Sequence, residues 1–135
     1  MGAGDPAIFD LCRPVLATFA TDIFNLGEFG NGQIGKMVNN MILWACMAAN
    51  DEGLRLGEQL GVDQEILRSA LTVSSAANFP LIERSETRPI PWAEKDMVIA
   101  QHEADTIGFS IPLSGLVKEL IKSLKRQRGY STPSL

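Results

Sequence analysis

The sequence predicts a mainly all-α protein, a helical bundle arranged around one long helix, with one short strand near the amino terminus. First, apolar residues recur at helical spacing over most of the chain after Gly32. Second, residues 41–60 contain no turn signal or β-branched run before Gly61, so the helix that follows Gly32 is predicted to continue to about Leu60, a length of about 28 residues. Third, the 135 residues are 45% hydrophobic, which is enough apolar material for one core.

The first element is a helix beginning at Asp5-Pro6, because a capping carboxylate followed by proline favours a helix start. Its apolar positions are Ile8, Leu11, Val15, Leu16 and Phe19. We expect it to end near Ala20, with a kink or a break at Pro14. Residues 22–26 are short, apolar-rich and closed by Gly27, which is typical of a strand. Because one strand cannot form a sheet, this beginning looks like the last piece of a preceding domain, and the chain like a fragment.

The remainder of the chain is predicted to be helical, with boundaries set by caps and prolines. The long helix ends near Leu60, where Gly61 supplies a carboxyl-terminal cap. Further helices are predicted over Asp63–Thr72, Ala77–Glu86 and Trp92–Ile107, followed by a last helix after Gly108 and Pro112 that ends near Arg128. Pro89 and Pro91 mark a turn, and residues 129–135 are expected to form a frayed tail.

Charge and hydropathy argue against several classes of function. The chain carries 12 Lys and Arg against 16 Asp and Glu, a net charge of -4, so no general attraction to nucleic acid or anionic lipid is expected. The longest apolar run, Met41–Ala49, is far shorter than the about 20 residues that cross a bilayer. The amino terminus does not resemble a secretory signal, so we expect a cytoplasmic protein without a membrane segment. Cys12 and Cys46 lie in apolar helical patterns, which favours buried thiols over a disulfide or a metal site.

A glycine motif at residues 30–35 suggests cofactor binding at first sight. The segment GNGQIG matches G-x-G-x-x-G, and Asp51 and Glu52 follow about 20 residues later, as in a dinucleotide-binding loop. Such a loop requires a second parallel strand just before the acidic residue. Both acidic residues lie inside the predicted long helix instead, and the interpretation is therefore disfavoured.

The same residues fit a more specific pattern, which is Gly27-x-x-Gly30-x-Gly32-x-x-x-Lys36-x-x-Asn39-Asn40 at the opening of a long helix. This pattern resembles the β-hydroxyacid dehydrogenase family, which includes 3-hydroxyisobutyrate dehydrogenase, tartronate semialdehyde reductase and the 6-phosphogluconate dehydrogenase relatives. The resemblance continues through Glu52, the Lys95-Asp96 pair and Ile111-Pro112-Leu113. It covers nearly the whole chain, but only the carboxyl-terminal half of such an enzyme.

The resemblance implies a helical bundle like the carboxyl-terminal domain of 6-phosphogluconate dehydrogenase. Residues 1–29 would be the last helix and strand of an otherwise absent Rossmann domain, and residues 30–128 the helical substrate and oligomerisation domain. The implied enzyme is an NAD- or NADP-dependent oxidoreductase that interconverts a 3-hydroxyacid and its semialdehyde or ketoacid. The cofactor would be bound mainly by the missing domain, so we expect the chain alone to be inactive.

The chemistry of Lys36 and Asn40 can also be argued from the residues. Hydride transfer from an alcohol needs a base for the hydroxyl proton, and a lysine serves only if its pKa falls from about 10.4 toward neutrality. Lys36 lies one turn into a helix, where the positive end of the dipole disfavours a second cation. Asn40, at i+4, can donate to a substrate oxygen without adding charge. From two residues alone, an exposed lysine and asparagine are the simpler interpretation; the full glycine, lysine and paired-asparagine spacing favours the site.

Carried over from the family, the catalytic lysine corresponds to Lys36, the substrate-binding asparagine to Asn40 and the cofactor-side lysine to Lys95. Asp96 would orient that region on the substrate side. The alternative is a solvated first turn of a helix. Some semialdehyde reductases of the family carry a phenylalanine where this chain has Arg88, which suits a more anionic substrate or a surface position.

Oligomers and partners are predicted from the long helix and the basic carboxyl end. A helix of about 28 residues is about 42 Å long, more than a compact helical domain covers, so we expect a homo-oligomer, a dimer or tetramer. Candidate contacts are Ile42, Trp44 and Met47, and Trp44 and Trp92 are core or interface aromatics. The competing hypothesis is a free-standing helical interaction module, which would use the long helix or the basic last helix. The cations of that last helix are Lys118, Lys122, Lys125, Arg126 and Arg128.

Overall fold

The computed structural model describes residues 1–83 and 90–131, and helices dominate both ranges. The helices are α1 (Pro6–Leu16), α2 (Asn31–Gln59), α3 (Gln64–Leu71), α4 (Phe79–Ile82), α5 (Ala93–Thr106) and α6 (Pro112–Gln127). The predicted mainly all-α fold is confirmed. The chain forms two compact units, Met1–Asn39 and Asn40–Leu135, and each is described by itself.

Helix α1 of the first unit begins as its cap predicts. The Asp5 carboxylate accepts hydrogen bonds from the backbone N–H groups of Ala7 at 2.8 Å and Ile8 at 3.1 Å. Pro14 lies inside the helix, so the expected break at this residue is absent. The helix ends at Leu16 rather than near Ala20, because the N–H groups of Thr18 and Phe19 bond carbonyls three residues back, which tightens the turn after Leu16.

The predicted strand over residues 22–26 is wrong in extent. Among the described residues it is reduced to one parallel bridge between Gly2 and Asn25. Gly2 donates to the Phe24 carbonyl at 2.9 Å, and Leu26 donates to the Gly2 carbonyl at 2.8 Å. The partner segment is short because the chain turns into α1 at Pro6, which leaves no residues for a longer ladder.

The apolar side of α1 is exposed to solvent, and no residue of α1 is buried. Its exposed side chains are Ile8, Leu11 and Val15, with Phe19 following the helix. Cys12 is also exposed, which corrects the expectation of a buried thiol. The reason is that no other part of the first unit covers this side of the helix, and helical spacing identifies an apolar face without showing what packs on it.

The core of the second unit lies where α2 meets α5 and α6. Its buried cluster consists of Trp44, Met47, Ile90, Ala93, Met97, Val117, Ile121 and Leu124. Trp44 and Met47 are therefore core residues rather than subunit contacts, because this face of α2 is covered by its own chain. Ile42 is 60% exposed and stays a candidate contact, whereas Trp92 is 66% exposed and is not a core aromatic. Cys46 is only half-buried.

Caps and close contacts set the remaining helices against α2. Asp63 caps α3 by accepting from two backbone N–H groups, at 3.0 and 2.9 Å. A Cβ on Gly57 would overlap Leu67 Cδ2, so the glycine allows α3 to approach α2 closely. Asn50 and Asn78 exchange two amide hydrogen bonds, at 2.9 and 3.0 Å. These contacts define the side of α2 that α3 and α4 cover.

Helix α4 is shorter than the predicted helix over residues 77–86. It begins after Asn78, because the side chain of Asn78 accepts from the Leu81 N–H at 3.1 Å and its backbone is extended. The end predicted at Glu86, the turn at Pro89 and the departure at Arg88 lie outside the described residues. No helix within the described ranges is long and apolar enough to cross a membrane.

Candidate active site

The carboxylate of Asp96 joins two side chains of α2 to the first turn of α5. Its Oδ2 atom accepts a hydrogen bond from Asn40 Nδ2 at 3.0 Å and another from Trp44 Nε1 at 3.0 Å. Asn40 and Trp44 lie four residues apart and therefore on the same face of the helix. The structure thus brings together two residues that the sequence selected, Asn40 and Asp96, together with one that it did not.

Local structure explains why the carboxylate lies here. Asp96 is in the first turn of α5, where the helix dipole stabilises a negative charge. Trp44 is 9% exposed and belongs to the core, and a buried indole N–H needs an acceptor. Hydrogen bonds to an ionised acceptor are among the stronger ones, so the two donors hold Asp96 firmly.

A buried ion pair holds the same turn of α5 against α6. Lys125 Nζ lies 3.4 Å from Glu94 Oε2, with the two side chains only 1% and 5% exposed. Glu94 lies two residues before Asp96 in the sequence. The pair anchors the backbone from which the Asp96 side chain projects.

Lys95 lies between Glu94 and Asp96, but its side chain is exposed. Successive residues of a helix point about 100° apart, so burial of Glu94 leaves Lys95 facing outward. An exposed ammonium group in the first turn of a helix adds to the positive end of the dipole. This position suits contact with an anionic group.

Lys36 belongs to the first unit and is exposed in the second turn of α2. The glycines before Lys36 have structural roles within the chain. Gly30 has a φ of +96°, which favours glycine, and a Cβ on Gly35 would overlap the side chain of Leu26. A Cβ on Gly32 would lie 3.4 Å from the Gly2 carbonyl carbon. These glycines therefore provide a turn and internal packing, which agrees with the disfavoured dinucleotide-loop interpretation.

The basic last helix is less basic at its surface than the sequence suggested. Lys125 points inward to Glu94, and Lys122 Nζ lies 2.8 Å from Glu119 Oε1. The hydrogen bond from Lys122 lowers the pKa of the Glu119 carboxyl below its ordinary value. Lys122 and Lys125 thus have carboxylate partners within α6 and α5.

The sequence did not indicate the contacts made by Trp44, Glu94 and Lys125. Trp44 was assigned only to the core or an interface, although its position four residues after Asn40 placed both on one face. The indication of the ion pair in the sequence was weaker. Glu94 and Lys125 each lie on the apolar side of their own helix, but they are 31 residues apart, and no local pattern predicts that they pair. For the described residues, no group of three His, Cys, Asp or Glu side chains is arranged to hold a metal ion.

The chain is similar to known proteins in family, in sequence and in fold. A family model described as "NAD-binding of NADP-dependent 3-hydroxyisobutyrate dehydrogenase" matches residues 30–132. A 3-hydroxyisobutyrate dehydrogenase from Pseudomonas aeruginosa is 32% identical over 134 residues, which cover 87% of this chain and 45% of that protein. The chloroplastic glyoxylate/succinic semialdehyde reductase 2 of Arabidopsis thaliana is 30% identical over 133 residues, 91% of this chain and 37% of its own length.

Two solved structures share the fold. The Mycobacterium tuberculosis 3-hydroxyisobutyrate dehydrogenase with L-serine aligns with a TM-score of 0.76 at 23% identity, over 92% of this chain and 48% of that one. The Salmonella typhimurium 3-hydroxyisobutyrate dehydrogenase aligns with a TM-score of 0.83 at 19% identity, over 96% and 48%. The chain thus spans about half or less of the length of these relatives.

Proposed function

The chain belongs to the NADP-dependent 3-hydroxyisobutyrate dehydrogenase family, and from this premise we propose that it supplies the substrate side of a hydroxyacid dehydrogenase or semialdehyde reductase. The reaction would interconvert a 3-hydroxyacid and its semialdehyde or ketoacid. The observation that carries the proposal is the contact of Asn40 with Asp96, since two residues 56 apart in sequence, both selected for the same site, share a hydrogen bond.

In this proposal Lys36 is the general acid and base. During oxidation it takes the proton of the substrate hydroxyl, and during reduction it returns that proton to the oxygen. Asn40, four residues later in α2, donates a hydrogen bond to a substrate oxygen. Asp96 keeps the Asn40 amide in place through its Oδ2 atom.

The cofactor of the family is NAD or NADP, and its nicotinamide ring accepts or supplies the hydride. Lys95 is the described residue that fits a contact with it, because its exposed ammonium group suits an anionic or carbonyl oxygen. Gly32 and Gly35 do not fit the pyrophosphate, because they lie against the chain's own residues. Most of the cofactor contacts are therefore assigned to residues outside this chain. We also propose a homo-oligomer in the cytoplasm.

The test is a Lys36→Ala and Lys36→Arg pair in an enzyme that includes a cofactor-binding domain. Loss of a general base lowers kcat by about 10²-fold or more, with cofactor affinity nearly unchanged. Lys36→Arg should not restore activity, because guanidinium keeps its proton at any working pH. Lys118→Ala serves as the control, since Lys118 is a cation of α6 outside the proposed site.

The pH profile gives an independent reading of the same assignment. Oxidation by the parent enzyme should rise with pH, and that rising limb should disappear in Lys36→Ala. Near-parental turnover of Lys36→Arg would mean that the lysine only holds substrate by its charge, and the acid–base role would be wrong.

A further inference from the structure

We infer that Trp44 is a positioning residue of this site, which acts through Asp96 on the amide of Asn40. The inference rests on the proposed function and extends it, because Trp44 has no contact with the substrate in it. Its basis is that one carboxylate oxygen of Asp96 accepts hydrogen bonds from both side chains at 3.0 Å.

Of the three side chains, Trp44 is the one whose position is set by packing. It is 9% exposed and lies in the apolar cluster with Met47 and Met97, whereas Asn40 and Asp96 are only half-buried. An indole offers a single donor, so the direction of that N–H is fixed once the ring is packed. Trp44 therefore determines where the shared oxygen of Asp96 lies.

Asp96 in turn determines which way the amide of Asn40 faces. An ionised carboxylate only accepts hydrogen bonds, so the nitrogen end of the amide must face it. The amide is then held in one of its two flipped orientations. The contact with Asp96 thus helps to define the orientation in which the Asn40 amide meets a substrate oxygen in the proposed site.

The charges of the site support an indirect role for Asp96. A hydroxyacid carries its own carboxylate, and direct contact with a second carboxylate would be repulsive. An uncharged amide placed by that carboxylate can hold the same substrate without this repulsion. An anionic hydroxyacid therefore fits the proposed site if its contact is with the Asn40 amide and not with the Asp96 carboxylate.

The contact is tested on the 135-residue chain by nuclear magnetic resonance of the two indole N–H groups, since the chain has two tryptophans. Trp92 is 66% exposed and provides the internal reference. We expect the Trp44 N–H to exchange with water at least about tenfold more slowly than the Trp92 N–H. Asp96→Asn should change the Trp44 resonance strongly and leave the Trp92 resonance in place. If the indole N–H resonance of Trp44 is unchanged in Asp96→Asn, the inference is overturned.

The functional role is tested by Trp44→Phe in the enzyme with its cofactor-binding domain, because phenylalanine keeps most of the packing and removes the donor. We expect the KM for the hydroxyacid to rise about five- to tenfold, with kcat and the KM for the cofactor changing less than about threefold. Trp92→Phe makes the same chemical change at an exposed position and should leave all three constants unchanged.

The results of these experiments distinguish a failure of the positioning role of Trp44 from a failure of the proposed function. An active enzyme whose hydroxyacid KM is unaltered by Trp44→Phe overturns the positioning role alone. A loss of kcat with no change in KM also overturns it, because a general loss of structure would explain that result. If the parent enzyme oxidises no hydroxyacid, the proposed function fails and the inference fails with it, whatever the resonances show.

Discussion

Removing one partner of the buried Glu94–Lys125 pair should destabilise the second unit far more than removing both partners together. At 3.4 Å and an effective dielectric constant near 20, the attraction between two unit charges is about 5 kcal/mol. The cost of taking both charges out of water is of similar size. The net contribution of the pair is therefore small, although each charge alone would be expensive.

Three variants measure this balance. Lys125→Met and Glu94→Leu each leave one buried charge without its partner, and each should lower the free energy of unfolding by about 3–5 kcal/mol. The double variant removes both charges and should lie within about 1 kcal/mol of the parent or above it. Because a domain of this size is stable by only about 5–15 kcal/mol, either single variant loses a large share of the total.

The assay is urea unfolding followed by tryptophan fluorescence. Both tryptophans, Trp44 and Trp92, belong to the second unit, so their emission reports that unit and not residues 1–39. The free energy comes from linear extrapolation, after coincidence with circular dichroism has been checked. Arg55→Met is the control, because Arg55 pairs with Asp51 at 3.3 Å on the surface and its loss should cost less than about 1 kcal/mol. If Lys125→Met and Glu94→Leu lower the free energy of unfolding by no more than Arg55→Met does, the reasoning is refuted.

Three further predictions concern the surface, the cofactor and assembly. Lys122→Met should raise the pKa of Glu119 toward its ordinary value of 4.5, since the hydrogen bond from Lys122 is the main cause of the lowering; a carbon-13 titration of the glutamate carboxyls measures it. The 135-residue chain alone should bind NAD or NADP with a dissociation constant above about 10 μM, an affinity near -7 kcal/mol, because Gly32 and Gly35 lie against its own residues. A dissociation constant below that value in a calorimetric titration would contradict this. The chain should be a dimer or larger at about 100 μM by light scattering, given exposed apolar residues such as Ile42, Phe109 and Leu113; a monomer would count against it.

Helix boundaries were predictable wherever a local chemical signal set them. Asp5 and Asp63 accept backbone hydrogen bonds as N-caps, and Gly61 follows α2 with a φ of +90°. These are contacts within four residues, so sequence alone contains them. The helix predicted over residues 77–86 was placed less well, because the capping side chain of Asn78 moved its start.

Burial and pairing were less predictable because they depend on distant residues. The strand at residues 22–26 needed a partner of similar length, and among the described residues it forms a single bridge, between Asn25 and Gly2. Trp44 and Cys12 both lie on apolar helix faces, yet Trp44 is covered by its own chain and Cys12 is exposed. Periodicity identifies such a face but does not say what packs on it.

The sequence predicted which residues belong to the candidate site better than it predicted the contacts between them. The family pattern selected Asn40 and Asp96, which share a hydrogen bond across 56 positions of sequence. It did not reveal the indole donor of Trp44, since a contact of this kind depends on how α2 and α5 pack. The catalytic role of Lys36 and the cofactor role of Lys95 remain predictions for the experiments described above.

The two native cysteines provide labelling sites for measuring the distance between the two units. Cys12 lies in the first unit and Cys46 in the second, and neither is in a disulfide. Because Cys12 is exposed and Cys46 is half-buried, a thiol reagent should modify Cys12 first, which allows two different probes to be attached in order. Spin labels or a fluorescent donor and acceptor at these positions would then report the separation of the two units without any engineered residue. The same labelled chain would register a change in that separation when a cofactor or a hydroxyacid is added.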